Sequence, residues 1–204
     1  MRLILLASVM IVATAGVAQA ETRNLSGFTG VNASAGTDVE VMVGGAFRVE
    51  VTGRDAERIV TRVAGDTLMV HPVRGWSWRG PRNAHVRITM PHVSSLSASS
   101  GADLVATGVD GGAIALSSSS GADLRVSGAC DSFEADASSG ADIHAAELRC
   151  ESGSVDVSSG ADARVYASGR LDVDASSGGG VVAHGNPGIG SISMSSGGTL
   201  RRAD

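Results

Sequence analysis

Apolar and polar residues alternate in short runs through most of this chain, and the runs come in pairs. Leu96 and Ala98 precede Ser99-Ser100-Gly101; Leu104 and Ala106 follow it. The same arrangement returns around Gly121, Gly140, Gly160, Gly178 and Gly197, at intervals of 20, 19, 20, 18 and 19 residues. With each of these glycines counted as zero, position −5 holds Leu96, Leu116, Ala135, Val155, Val173 and Ile192. Position +3 holds Leu104, Leu124, Ile143, Ala163, Val181 and Leu200. Apolar side chains two residues apart on both sides of a turn mark strands with one buried face. Each unit is therefore two short strands joined by a Ser-Ser-Gly corner, and a second, more variable corner closes the lap. A lap of about 20 residues cannot bury its own inner face, so laps must stack as parallel strands roughly 4.8 Å apart. The pattern predicts an all-β fold, a single-stranded parallel β-helix with a thin core of Ala, Val and Leu. A period of two excludes helical solenoids.

The corners have mechanical reasons. A glycine at zero takes the positive φ that a sharp bend needs. If alternation persists through the corner, Ser100, Ser120, Ser139, Ser159, Ser177 and Ser196 point inward, and their hydroxyls bond one another or nearby backbone.

The stretch from Val31 to Val41 fits the same template with Gly36 at zero, yet the next copy lies 65 residues later. The insert reads as antiparallel strands at 47–52, 67–70 and 85–90, with a helical turn at 55–59. It is expected to cap the first lap, because exposed β-edges invite aggregation. At the other end Arg201, Arg202 and Asp204 supply charge for a polar cap. The expected organisation is a leader at 1–20, a first lap plus insert at 21–92, and the repeats at 93–204. Residues 21–204 then form one continuous domain.

The leader follows from Met1-Arg2, the apolar run Leu3 to Val17, and the small-x-small site Ala18-Gln19-Ala20. This is the pattern of a secretory signal peptide, too short to span a membrane comfortably. Export to the periplasm or the cell surface is expected, with no transmembrane segment in the mature chain. All 16 basic residues are Arg, and the net charge of −5 disfavours nucleic acid as a partner. Cys130 and Cys150 fall one repeat apart. Stacking brings their Cα atoms to about 5 Å, inside the disulfide range, and an exported chain favours oxidation. A structural disulfide is expected; two free thiols, or a metal or redox pair, are the alternatives.

Three constellations invite chemistry. Asp103, Asp123, Asp142 and Asp162 follow the corner glycines Gly101, Gly121, Gly140 and Gly160 and form an outward column. Arg125, His144 and Arg164 stand beside them to offset the repulsion of like charges. Glu134, Asp136, Asp156, Asp172 and Asp174 form a second acidic group without Arg in its own strand. It is the better candidate for Ca²⁺, which takes several carboxylate oxygens, and the alternative is a solvated acidic face. The loop from Arg74 to Arg82 holds Trp76, Trp78 and Arg79, which with Arg74 are candidates for contact with a glycan or an envelope polymer. The alternative is that the tryptophans fold back onto the sheet or cover the helix end. Glycosidases need two carboxylates in different environments, and a ladder of equivalent Asp offers none. No triad or nucleophile elbow is present, no catalytic residue is assigned, and no cofactor is required beyond the Ca²⁺ considered above.

The ordered set of motifs resembles the GIN-domain family, the autotransporter adhesin head domains of bacterial envelopes. Gly27-Phe28-Thr29-Gly30-Val31 precedes Gly36-Thr37-Asp38-Val39-Glu40-Val41. The stretch 47–70, a variable loop, repeated Ser-Ser-Gly-Ala-Asp turns and Gly185-Asn186-Pro187 follow. The resemblance implies a right-handed β-helix and an adhesin role. The function expected is an exported, non-enzymatic, adhesin-like binding module of the cell envelope. The alternatives are a carbohydrate-active envelope enzyme using the acidic face and a structural envelope protein. A true autotransporter needs a membrane barrel of many strands, which is not expected within these residues.

Overall fold

The computed structural model describes residues 20–76 and 83–203. The leader reading therefore lies outside the described residues, as do Trp78, Arg79 and Asp204. Sixteen strands join one hydrogen-bonded network. In chain order they are β1 (Glu21–Arg23), β2 (Gly30–Ser34), β3 (Asp38–Val43), β4 (Arg48–Thr52), β5 (Ile59–Ala64) and β6 (Thr67–Pro72). Then come β7 (His85–Met90), β8 (Ser95–Ser99), β9 (Asp103–Asp110), β10 (Ala113–Ser119) and β11 (Asp123–Ser138). The last five are β12 (Asp142–Val157), β13 (Asp162–Ala175), β14 (Gly180–His184), β15 (Gly188–Met194) and β16 (Thr199–Arg202).

The laps stack in register, as the repeat predicts. Val86, Val39, Leu104, Leu124, Ile143, Ala163, Val181 and Leu200 are successive partners in one pile. Leu68, Val31, Leu96, Leu116, Ala135, Val155, Val173 and Ile192 make the facing pile. Leu104, Leu124 and Ile143 are fully buried, and truncating one such side chain to Ala costs about 2–5 kcal/mol.

The corners differ from the expectation. Ser100, Ser120, Ser139, Ser159, Ser177 and Ser196 all have φ between 49° and 57°, and the glycine after each also has a positive φ. Two successive left-handed residues and the 3.2 Å bond from Ala102 N–H to Ser99 C=O are the pattern of a type I′ turn. This turn resets the alternation. The serines point to solvent, and the buried corner residue is one step beyond the glycine: Ala102, Ala122, Ala141 and Ala161. In the first lap Thr37 takes that place and donates its hydroxyl to Ser34 C=O at 3.1 Å. The corners are tied to each other by backbone instead of hydroxyls. The N–H groups of Gly101, Gly121, Gly140, Gly160 and Gly178 donate to the carbonyls of Ser120, Ser139, Ser159, Ser177 and Ser196, one lap on. The second corner is not a loop in the middle laps: β11, β12 and β13 run through it, bent at register shifts. A Cβ on Gly128 would strike the Val109 carbonyl, so only glycine lets the laps approach there.

The insert is also only partly antiparallel. β4 pairs antiparallel with β7, β1 with β4, and β5 with β6. However, β6 and β7 lie parallel to β2 and β3, so they form a further lap outside the first one. Chain order and stacking order thus differ at this end. The Trp-containing loop stands between β6 and β7, where the other laps have their Ser-Ser-Gly corner. Strand β5 has no counterpart in the sequence reading, because Val60-Thr61-Arg62-Val63 alternates too weakly to stand out. The helical turn is a 3₁₀ turn at Ala56–Arg58.

Candidate functional site

The second acidic group is brought together. Asp136, Asp156 and Asp174 are register partners on β11, β12 and β13, and Glu134, Ser154 and Asp172 are their neighbours two residues earlier. All point away from the core, because they alternate with buried Ala135, Val155 and Val173. With Ser191 and Ser193 they line a groove of about 320 Å³. The strands are flanked on both sides, so these carboxylates are held at one-lap spacing by the backbone and cannot easily spread apart.

The group is not uniform, contrary to the expectation of equivalent carboxylates. Arg170, in the same strand, donates to Asp172 through Nη2 at 2.9 Å and Nε at 3.2 Å. The sequence reading places no Arg there. Ser191 adds its hydroxyl at 2.9 Å and its backbone N–H. The Arg170 bonds, then those of Ser191, hold the Asp172 carboxyl down at about 2. Asp136 goes the other way: burial, then Glu134 and Asp156, push it above the usual carboxylate range. Among the described residues Glu134, Asp136, Asp156 and Asp174 have no ion-pair partner.

The corner aspartates also stack, in the order Asp38, Asp103, Asp123, Asp142 and Asp162. Burial, followed by Asp103 and Asp142, raises the Asp123 carboxyl. Asp123, Asp142 and His144 each offer a ligand atom within 4.8 Å of the others, a cluster the sequence reading does not single out. The signal is there: His144 stands two residues past Asp142 in one strand, so both face outward. Arg164 approaches His144 Nδ1 at 3.2 Å, which places the expected cationic column beside the acidic one.

Of the loop candidates, Arg74 is exposed and Trp76 is half-buried. The Arg58 guanidinium lies 5.6 Å from the Trp76 ring centre, so part of this aromatic surface packs against the insert. Sequence reasoning misses Arg58, because the 3₁₀ turn that carries it has no repeat to predict its place. Trp78 and Arg79 fall outside the described residues. Cys130 and Cys150 are register partners joined as a disulfide with Cα atoms 4.5 Å apart, which removes the free-thiol and metal alternatives.

No described helix is long and apolar enough to cross a membrane. Among proteins of curated function, none matches this chain in sequence. Solved structures share the fold. A Bacteroides fragilis protein described as a "putative adhesin" superposes with a TM-score of 0.72 at 15% identity, covering 93% of this chain and 98% of that one. A "putative lipid binding protein" from Parabacteroides distasonis gives 0.54 at 16% identity, with the same coverage of 93% and 98%. A further "putative adhesin" from Parabacteroides merdae gives 0.51 at 11%, again over 93% and 98%. A family model matches residues 27–187, nearly the whole stack from Gly27 to Pro187, and by that match the chain belongs to the family described as "Putative auto-transporter adhesin, head GIN domain".

Proposed function

We propose that this protein is an exported, non-catalytic binding module of the cell envelope, with the acidic groove as its main contact surface. The observation that carries this reading is the groove itself. Carboxylates that repel each other are fixed on rigid strands, and four of them have no cationic partner among the described residues. Crowded like charges raise one another's pKa, and a bound cationic group would offset that repulsion. An envelope polymer bearing amines, or one bridged by divalent cations, has that chemistry. Trp76 and Arg74 offer a second contact at the opposite end of the stack, suited to a sugar face. Family membership supports the adhesin-like role.

The non-catalytic reading is supported by how the carboxylates are used. Asp172 commits its oxygens to Arg170 and Ser191, which suits a tether and not a nucleophile. Asp136 has a raised carboxyl, the property of a general acid, but its neighbours in the groove are further carboxylates and serines. A Ca²⁺ bound by Asp136, Asp156 and Asp174 is a narrower version of the same reading, favoured by their stacked register.

Binding of the purified mature chain to isolated envelope polysaccharide, with and without added calcium, tests this. Asp136→Asn with Asp156→Asn should abolish it, and Trp76→Ala should weaken it. Binding untouched by the double Asn variant would remove the groove from the function. Hydrolysis of the polymer, lost in the same variant, would favour the enzyme. Melting unchanged between EDTA and excess calcium would remove the metal.

A further inference from the structure

The two ends of the stack are finished differently. At the β7 end, antiparallel β4 covers β7 and β5 covers β6. At the other end, among the described residues, β15 pairs only with β13 and β16 only with β14, and the inner piles stop with them. Ile192 and Met194 continue the buried columns of Val173 and Ala175, yet they are 51% and 45% exposed. The polar cap expected at this end reaches only the β16 side, where Arg201 and Arg202 lie.

The edge of β15 lacks the usual protection against pairing with another strand, which is charge or proline along its length. Between Gly188 and Met194 it has neither. The acidic columns of its own face also end before it: Asp136, Asp156 and Asp174 are followed by Ser193. A bulge at Gly190–Ser191, where Asp172 binds Ser191, leaves Ile192, Ser193 and Met194 in regular register with Val173, Asp174 and Ala175.

We propose that β15 is the interface of a two-fold dimer, in which it pairs antiparallel with β15 of a second copy about an axis at Ser193. The occupant is a second copy because this edge is complementary to itself. Antiparallel pairing about Ser193 sets Ile192 of one copy against Met194 of the other, twice, and no like charges meet. Each strand supplies the backbone donors and acceptors the other lacks. Head-to-tail stacking is disfavoured, because the opposite end is already closed by β4 and β5. The β16 edge stays out of the pairing, since an antiparallel pair centred there would set Arg201 of each copy against Arg202 of the other. The acidic grooves of the two copies, each ending at Ser191 and Ser193, then meet across the axis as one longer face.

Sedimentation velocity of the mature chain over a wide concentration range tests this. The expected result is reversible doubling of mass. Ile192→Lys should return the protein to monomer, while Arg202→Glu should leave the dimer intact. Both sites are exposed in the monomer, so circular dichroism should report unchanged folding. Ser193→Cys adds a single free thiol to a chain whose native cysteines are bonded. That variant should cross-link to its twin, while Ser117→Cys on the same face should not. A monomer at every concentration, a dimer that survives Ile192→Lys, or a dimer in which Ser193→Cys fails to cross-link would each overturn the proposal.

Discussion

The ring of Phe133 fills the place where a side chain at position 153 would sit. The two residues are register partners on β11 and β12, and a Cβ on Gly153 would run into the ring. In the same pile Ile114 lies on one side of Phe133 and Leu171 on the other side of Gly153. A large side chain is thus accommodated by an absent one on the next lap. Gly153→Ala should destabilise by about 1–3 kcal/mol through overpacking. Phe133→Leu combined with Gly153→Ala should recover part of that loss. A double-mutant cycle from urea melts measures the coupling; additive effects would mean that the ring moves aside freely.

Most of the stack is legible in the sequence because each lap repeats the same problem. Position −5 or +3 is apolar in six laps, so the buried columns, the register and the Cys130–Cys150 pairing follow from counting. The corner serines are not legible in this way. Period-two alternation does not carry through a turn that inserts two left-handed residues, because those residues reset the face. β6 and β7 are legible as strands but not as a lap, since their piles are shared with residues far away in sequence. The acidic groove is legible as a group; Arg170 escapes notice because it reads as part of the variable second corner, whereas β13 runs unbroken through it to Asp172.

The outward serines lead to a contrast at one corner. Ser120 is exposed, and its carbonyl, not its hydroxyl, accepts the bond from Gly101 N–H on the neighbouring corner. Ser120→Ala should therefore change stability by no more than about 0.5 kcal/mol. Gly121 has φ +67°, and a Cβ added there would meet nothing within 4 Å. Gly121→Ala therefore meets no clash but must hold alanine in a left-handed conformation. It should cost about 1–2 kcal/mol. Equal losses at the two positions, read from urea melts, would restore the buried-hydroxyl ladder.

The disulfide joins adjacent laps across a sequence separation of 20 residues. Closing a loop of that size in the unfolded chain is worth about 3 kcal/mol. Cys130→Ser with Cys150→Ser should lower the melting temperature by about 6–12 °C for a domain of this size. The fold should survive, because Leu148 and Val155 stay buried on either side of the bond. Circular dichroism after reduction distinguishes this from collapse of the stack.

The acidic groove makes a pH prediction with two opposite signs. Asp172 is held at about 2, below its ordinary 3.8, so its bonds stabilise the fold above 3.8 and are lost as pH falls toward 2. Asp172→Asn should thus lower the melting temperature at pH 7, by an amount that shrinks on acidification toward pH 2. Asp136 is raised by burial, Glu134 and Asp156, so its charged form works against folding at neutral pH. Asp136→Asn should raise the melting temperature at pH 7, and the gain should vanish below its ordinary 3.8, where the carboxyl is protonated in both states. Melting curves of each variant against wild type, from pH 7 to pH 2, isolate these differences from the titration of every other group. Two difference curves of the same sign would mean that Asp136 has found a cationic partner, and the groove would no longer be a surface waiting for one.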